Sequence, residues 1–256
     1  MKSQTKPTSR SDLYWSTDVE LAPPGKKEVR VWGSLLHGTP EVLESSSHLL
    51  SKEELCRASR FHGEQLKLRF VMSRIVLRTI LGQCLGIEPK GVAFSSDTRG
   101  KPHLAEESGL QFNLAHTADF MLLAVARDIV LGVDVERIRQ VKDAQAIASR
   151  FFSPNEAHWL RRQSPDALDP CFFRLWTRKE AVLKATGEGI SSGIASVQLL
   201  NPDGSFRQTV SRSSEDNCNV DWSLHELQPA KGFVGALALP AGYERLQIRT
   251  ASLFVS

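Results

Sequence analysis

A long helical pattern that ends on a glycine and gives way to short strands occurs twice in this 256-residue chain, which narrows the folds open to it. The first copy runs from about Glu64 to Leu85. Phe70, Ile75, Leu77, Leu81 and Leu85 recur there in threes and fours, and Gly86 is a natural stop. The second copy is "FFRLWTRKEAVLKATGEGI" (Phe172–Ile190), which ends near Gly187 and leads into "ISSGIASVQLL". The hairpin expected for "FNLAHTADFMLLAVA" likewise has a counterpart in "WSLHELQPAKGFVGALAL". The repeated order predicts an α+β fold built as a pseudo-twofold pair of similar α/β subdomains. Each would be a long helix packed on a small antiparallel sheet. The expected divisions are an N-terminal arm over residues 1–28, one subdomain over 29–130 and a second over 131–256. The active site is expected at the interface of the two subdomains, a usual place for a ligand cleft.

Local signals fill in this outline. "VRVWGSLL" (Val29–Leu36) reads as the first strand. Ser51 followed by Glu54 is a capping box, and Ser153-Pro154 places a cap and a first-turn proline at another helix start. "SPDALDP" reads as an interruption before the second long helix, and the apolar runs around Arg127-Asp128 read as an antiparallel hairpin. Lys67, Arg74 and Arg78 share one face of the first long helix, as a solvated stripe or as a site.

The totals mostly exclude. With 32 basic and 29 acidic residues, the net charge of +3 gives no reason to expect a nucleic-acid partner. Cys56, Cys84, Cys171 and Cys218 form no CxxC pair, so neither a zinc site nor a disulfide framework is expected. The longest unbroken apolar run, Phe120–Ala126, is far short of the ~20 residues that cross a bilayer, and the polar first thirty residues lack a signal-peptide core. A cytoplasmic protein with no membrane partner is the expectation.

In "GVDVE", residues two apart on a strand face the same way, so Asp134 and Glu136 project together while Val133 and Val135 face the core. Adjacent carboxylates repel unless a cation lies between them. They are therefore either a merely acidic outer face or half of a metal site. Glu180, with Lys184 one turn on, could complete an oxygen-ligand set for Mg²⁺, which binds carboxylates, waters and phosphates. The alternative is an i,i+4 ion pair between Glu180 and Lys184 on an exposed helix.

Four ordered motifs carry a resemblance. "RGKPHL", "FNLAHT", "GVDVE" and "RLWTRKEAVLKATGEGI", with "FFSPNEAHWL" between the last two, are similar to segments of the surfactin-synthetase-activating (Sfp-like) type of 4′-phosphopantetheinyl transferase. The likeness spans about Arg57 to Ile190. Ala115 departs from it, since a serine usually precedes the histidine there; a lost hydroxyl removes at most one hydrogen bond.

The resemblance implies that Asp134, Glu136 and Glu180 hold Mg²⁺ on the pyrophosphate of coenzyme A. It places Lys179, Lys184 and His116 on phosphates, and Gly100, Lys101 and Pro102 in a loop that approaches the nucleotide. Arg57, Arg60 and Arg69 would serve the 3′-phosphate, and Glu156 matches a family acidic position. The implied reaction moves 4′-phosphopantetheine from coenzyme A to a serine of an apo acyl or peptidyl carrier protein, releasing 3′,5′-ADP. The expected base for the serine proton is Glu180 or a metal-bound water that it orients, with Lys184 offsetting phosphate charge. Carriers of this kind are commonly acidic, which makes Lys142, Arg161 and Arg162 candidate docking groups. Shorter relatives with one half assemble their sites between subunits, so a chain with both halves is expected to be a monomer. Two rivals are a non-catalytic binding module on the same fold and another Mg²⁺-dependent nucleotide enzyme, although the chain has no Walker-type loop.

Overall fold

Two 22-residue helices, each closed by a left-handed glycine, Gly86 or Gly187, form the outer layers of the protein. The computed structural model describes residues 15–16, 21–188, 193–213, 219–242 and 247–253. In the first half these form strands β1 (Trp15–Ser16) and β2 (Glu28–Leu35), then helices α1 (Pro40–Ser46), α2 (Lys52–Ser59) and α3 (Glu64–Leu85). Strands β3 (Phe94–Ser96), β4 (Pro102–Leu104), β5 (Leu110–Thr117) and β6 (Phe120–Arg127) follow. The second half contains β7 (Gly132–Arg137), α4 (Ala144–Phe151), α5 (Pro154–Arg161) and α6 (Pro165–Thr186). It closes with β8 (Thr209–Ser213), β9 (Asn219–Leu227), β10 (Phe233–Pro240) and β11 (Gln247–Leu253).

The strands make one sheet in the order β1-β11-β2-β6-β5, a second in the order β7-β10-β9-β8, and a β3–β4 ribbon. Alternation along the strands gives each large sheet two apolar faces. Trp32, Met121, Leu123 and Val125 of the first sheet pack on Leu77, Ile80 and Leu81 of α3. Its opposite face, with Val31, Leu122 and Ala124, meets Val133, Val135, Leu237 and Leu239 of the second sheet. The outer face of the second sheet, with Leu224, Ala236 and Ala238, packs on Leu175 and Val182 of α6. The result is a helix–sheet–sheet–helix sandwich, the mixed α+β pair that the repeated element order predicts. Burying a side chain such as Leu77 contributes about 1.5–3 kcal/mol, and three clusters of such residues hold the layers together.

Several local expectations are met. Ser51 and Glu54 form the capping box of α2, and Ser153 and Glu156 form that of α5, with Pro154 in its first turn. The hairpins β5–β6 and β9–β10 form in antiparallel register. Others are corrected. The apolar runs flanking Arg127-Asp128 do not pair as a hairpin: β6 lies between β5 and β2, whereas β7 pairs with β10 in the other sheet. This link is where the chain passes from one sheet to the next. "SPDALDP" does not interrupt the second long helix but forms its beginning. Ser164 is its N-cap, Pro165 occupies the first turn, and Pro170 is accommodated inside. The pairings within each sheet are antiparallel except at β11, which runs parallel to both β2 and β1. The C-terminal strand therefore returns to the first sheet.

The basic face of α3 is structural at two of its three positions. Arg78 is buried, donates to Glu54 at 2.5 Å, and reaches the carbonyls of Pro89, Lys90 and Val92. Arg74 donates to the other Glu54 oxygen at 2.6 Å and lies over the Phe94 ring. Lys67 is exposed. Cys84 is buried, Cys56 exposed and Cys171 half-buried, all free thiols, and Cys218 lies outside the described residues. Among the described residues no helix is long and apolar enough to cross a membrane.

Candidate active site

The site lies where α6 crosses the edge strand β7. At Gly132 a Cβ would fall on the Ala181 carbonyl and the Ala185 amide, so only glycine lets strand and helix approach this closely. The approach brings residues one and two turns apart on α6 over the outward face of β7. Lys184 Nζ lies 2.7 Å from Asp134 Oδ1 and 3.2 Å from the Val133 carbonyl. Glu180 is buried beside them. The i,i+4 ion pair that Glu180 and Lys184 could make on an isolated helix is thus replaced by a Lys184–Asp134 pair across the helix–strand contact.

This cluster is electrostatically unbalanced. Burial pushes the Asp134 carboxyl up to about 6, against the pull of Lys184 and with a further push from Glu136. Burial and the Asp134 charge push Glu180 up to about 7, again only partly offset by Lys184. Asp134 Oδ2 and Glu180 Oε1 are both buried and accept no hydrogen bond from the described residues. Buried carboxylate oxygens without donors are costly unless a cation meets them, and hard oxygens of this kind suit Mg²⁺, whose remaining positions water and phosphate can fill. The residues present therefore fit the ion.

Glu136 faces the same way but is otherwise engaged. Its Oε2 accepts from Thr117 Oγ1 at 2.7 Å and from Arg139 Nη1 at 3.1 Å. Among the described residues no three Asp, Glu, His or Cys side chains converge on one metal position. The structure thus brings Asp134 and Glu180 together, with Glu136 held to the side.

The Gly100-Lys101-Pro102 loop reaches the same helix from the first half. Asp97 Oδ1 accepts from the Arg99 amide at 2.9 Å and the Lys101 amide at 2.8 Å, and Gly100 takes the left-handed conformation at φ 83°. The turn directs Lys101 Nζ to the Ala185 carbonyl at 3.3 Å and Arg99 to the Gly187 carbonyl at 3.1 Å. Cations on the last carbonyls of a helix are favoured by its dipole. Beside this contact lies a cavity of about 510 Å³, lined by Lys101, Pro102, Phe112, Ala185, Thr186 and Trp222 among others.

The remaining candidates are dispersed. His116 is exposed near the end of β5, beside Thr117. Arg57 is exposed on α2 over the Phe70 ring, Arg60 is exposed at the end of the same helix, and Arg69 is half-buried on α3. Among the described residues none of these three arginines bonds to Asp134, Glu136 or Glu180. Lys179 points away from the cluster altogether. It is fully buried and 2.7 Å from Glu156 Oε2.

Four positioning residues are not evident from sequence. Asn113 is buried, and its Oδ1 accepts from the Val133 amide at 2.9 Å, which ties the edge of the first sheet to β7. Thr117 and Arg139 hold Glu136, and Arg99 grips the end of α6. Asn113 and Thr117 stand in "FNLAHT", and a polar residue on a strand otherwise given to the core is the one signal that could mark them.

Comparison with known proteins identifies the family. Residues 130–238 match the model of the 4′-phosphopantetheinyl transferase superfamily, and residues 37–128 match a 4′-phosphopantetheinyl transferase N-terminal model. The chain is 38% identical over 219 residues to the 4′-phosphopantetheinyl transferase HetI of Nostoc sp., covering 84% of this chain and 89% of that protein. It is 30% identical over 215 residues to the 4′-phosphopantetheinyl transferase psf-1 of Bacillus pumilus, covering 84% and 90%. To the 4′-phosphopantetheinyl transferase Sfp of Bacillus subtilis it is 27% identical over 154 residues, covering 60% and 66%. Both halves of the sandwich are matched, and the chain belongs to the 4′-phosphopantetheinyl transferase superfamily as an enzyme.

Proposed function

We propose that the protein transfers the 4′-phosphopantetheine arm of coenzyme A to a serine of an apo acyl or peptidyl carrier protein, in a Mg²⁺-dependent reaction that releases 3′,5′-ADP. The observation that supports this most directly is the buried Asp134–Glu180 pair, with two unpartnered oxygens beside Lys184. Asp134 and Glu180 would hold Mg²⁺, which when bound neutralises pyrophosphate charge. Glu136, whose Oε2 is held by Thr117 and Arg139, would join them through its other oxygen or by releasing those contacts.

The chain's own residues divide the remaining work. The serine oxygen attacks the β-phosphorus and displaces the α-phosphate oxygen, so the nucleotide leaves with the bridging oxygen. Glu180 takes the serine proton; it is buried, and its Oε1 has no hydrogen-bond partner among the described residues. Lys184 offsets charge on the phosphates from its place above Val133. The cavity beside Lys101 and Pro102 begins one residue after Lys184 on α6, and its mixed lining suits the adenosine end of coenzyme A. His116 and the arginines Arg57, Arg60 and Arg69 remain the groups proposed for its phosphates, and Lys142, Arg161 and Arg162, all exposed, those for an acidic carrier. Lys179 is left out, because Glu156 already neutralises it.

One chain with both halves, 29–130 and 131–256 with β11 returning to the first sheet, would act as a cytoplasmic monomer without a nucleic-acid or membrane partner. The test is to incubate the protein with coenzyme A, Mg²⁺ and an apo carrier and quantify 3′,5′-ADP. Release in proportion to carrier consumed is expected. Hydrolysis of coenzyme A without carrier modification would contradict the proposal.

A further inference from the structure

Lys179 immediately precedes Glu180 on α6, yet the two side chains serve different surroundings. The Lys179 ammonium is 2.7 Å from Glu156 Oε2 and donates to the carbonyls of Ile194, at 3.2 Å, and Val197. These three acceptors match the three donors of an ammonium. Glu156 also accepts from the Ser153 amide at 2.9 Å and the Leu199 amide at 2.7 Å. The pair therefore joins three pieces of chain: the start of α5, the middle of α6, and residues 194–199 beyond the end of α6.

A buried ion pair is weak evidence for stability, because desolvation offsets much of the attraction. Burial lowers the Lys179 pKa while Glu156 works against that shift. What a fully satisfied pair does supply is orientation. Three fixed acceptors leave the helix at Lys179 little rotational freedom. Successive residues on an α-helix are about 100° apart, so turning Lys179 toward residues 194–199 turns Glu180 toward β7. Lys184, four residues beyond Glu180, then lies on the same face.

We propose that Lys179 is a positioning residue, whose ion pair with Glu156 sets the rotation of α6 and so aims Glu180 and Lys184 at Asp134. The proposal rests on reading that cluster as the transfer site. It replaces the phosphate contact that family resemblance implies for Lys179.

The test compares Lys179→Met, Glu156→Gln and the double variant with wild type and with Lys184→Met, measuring kcat, KM for coenzyme A and thermal midpoint. Small misplacements of catalytic groups are costly, so each single change should lower kcat about tenfold or more. KM for coenzyme A should stay within about threefold, and the double variant should be no worse than either single, since all three remove one device. Lys184→Met, which removes the phosphate contact outright where the other variants only shift it, should raise KM well beyond that range. If Lys179→Met raises KM about tenfold while Glu156→Gln stays near wild type, Lys179 is a phosphate contact and the proposal fails. It also fails if the thermal midpoint falls while kcat and KM hold. Should a single variant not fold, the double variant leaves no unpaired buried charge and makes the same comparison. A wild-type protein that does not transfer overturns both proposals, whereas active variants beside an active wild type overturn this one alone.

Discussion

Lys184 pairs with Asp134, 2.7 Å away across the helix–strand contact, and not with Glu180 one turn earlier on its own helix. A single ammonium therefore faces two buried carboxylates, and that shortfall of positive charge is the basis of the first prediction.

Glu180→Gln should abolish turnover, largely spare coenzyme A binding, and stabilise the protein in Mg²⁺-free buffer. The Glu180 pKa is raised in the folded state, to about 7. Its contribution to stability is then fully present below the ordinary carboxylate range and lost as pH rises through about 7. Above that pH the glutamine variant should be more stable than wild type by roughly 1–3 kcal/mol. Thermal melts at pH 5 and pH 8 check this, and a stability gain equal at both pH values would contradict it.

Mg²⁺ should raise the melting temperature of the wild type. The gain follows from binding to the folded state alone. It should disappear in Asp134→Asn, which loses an oxygen that has no other partner. Differential scanning fluorimetry across a Mg²⁺ titration, with coenzyme A omitted, reads it directly.

Gly132→Ala should be far more damaging than a surface glycine change. The added methyl would meet the α6 backbone at Ala181 and Ala185, which cannot yield as a flexible side chain can. A loss of about 3 kcal/mol or more is expected from such overpacking, along with activity. Denaturant unfolding provides the value.

Glu54→Gln should destabilise the first half without touching the Asp134–Glu180–Lys184 cluster. Glu54 is buried, but the Ser51 amide, Arg78 and Arg74 outweigh that burial and hold its pKa below the ordinary value. Its stabilisation is therefore present above the ordinary glutamate range and lost as pH falls through the lower folded value. Removing one partner of such a buried network costs about 3 kcal/mol. The difference between variant and wild type should shrink in urea melts taken at progressively lower pH.

Much of the fold is legible in the sequence where local rules act alone. Ser51 and Ser153 are followed three residues later by a glutamate and cap α2 and α5, while Gly86 and Gly187 end α3 and α6. Alternation in "GVDVE" is enough to put Asp134 and Glu136 on one face of a strand. What sequence does not convey depends on contacts distant along the chain. Lys179 and Lys184 look alike in "RKEAVLK", yet a little over one turn of helix sends one to Glu156 and the other to Asp134. Arg78 resembles a solvated residue until Glu54 and three loop carbonyls surround it. Pro170 reads as a breaker, but it falls early in α6 and the helix continues past it. Likewise, nothing in Arg127-Asp128 distinguishes a hairpin turn from a crossing between two sheets.

The most direct test of the proposed site and function is the intact mass of an apo carrier protein after incubation with coenzyme A, Mg²⁺ and either wild type or Glu180→Gln. A phosphopantetheine increment on the carrier serine is predicted with wild type and none with the variant. An increment at comparable rate with both proteins would contradict the assignment of the site, and none with either would contradict the function.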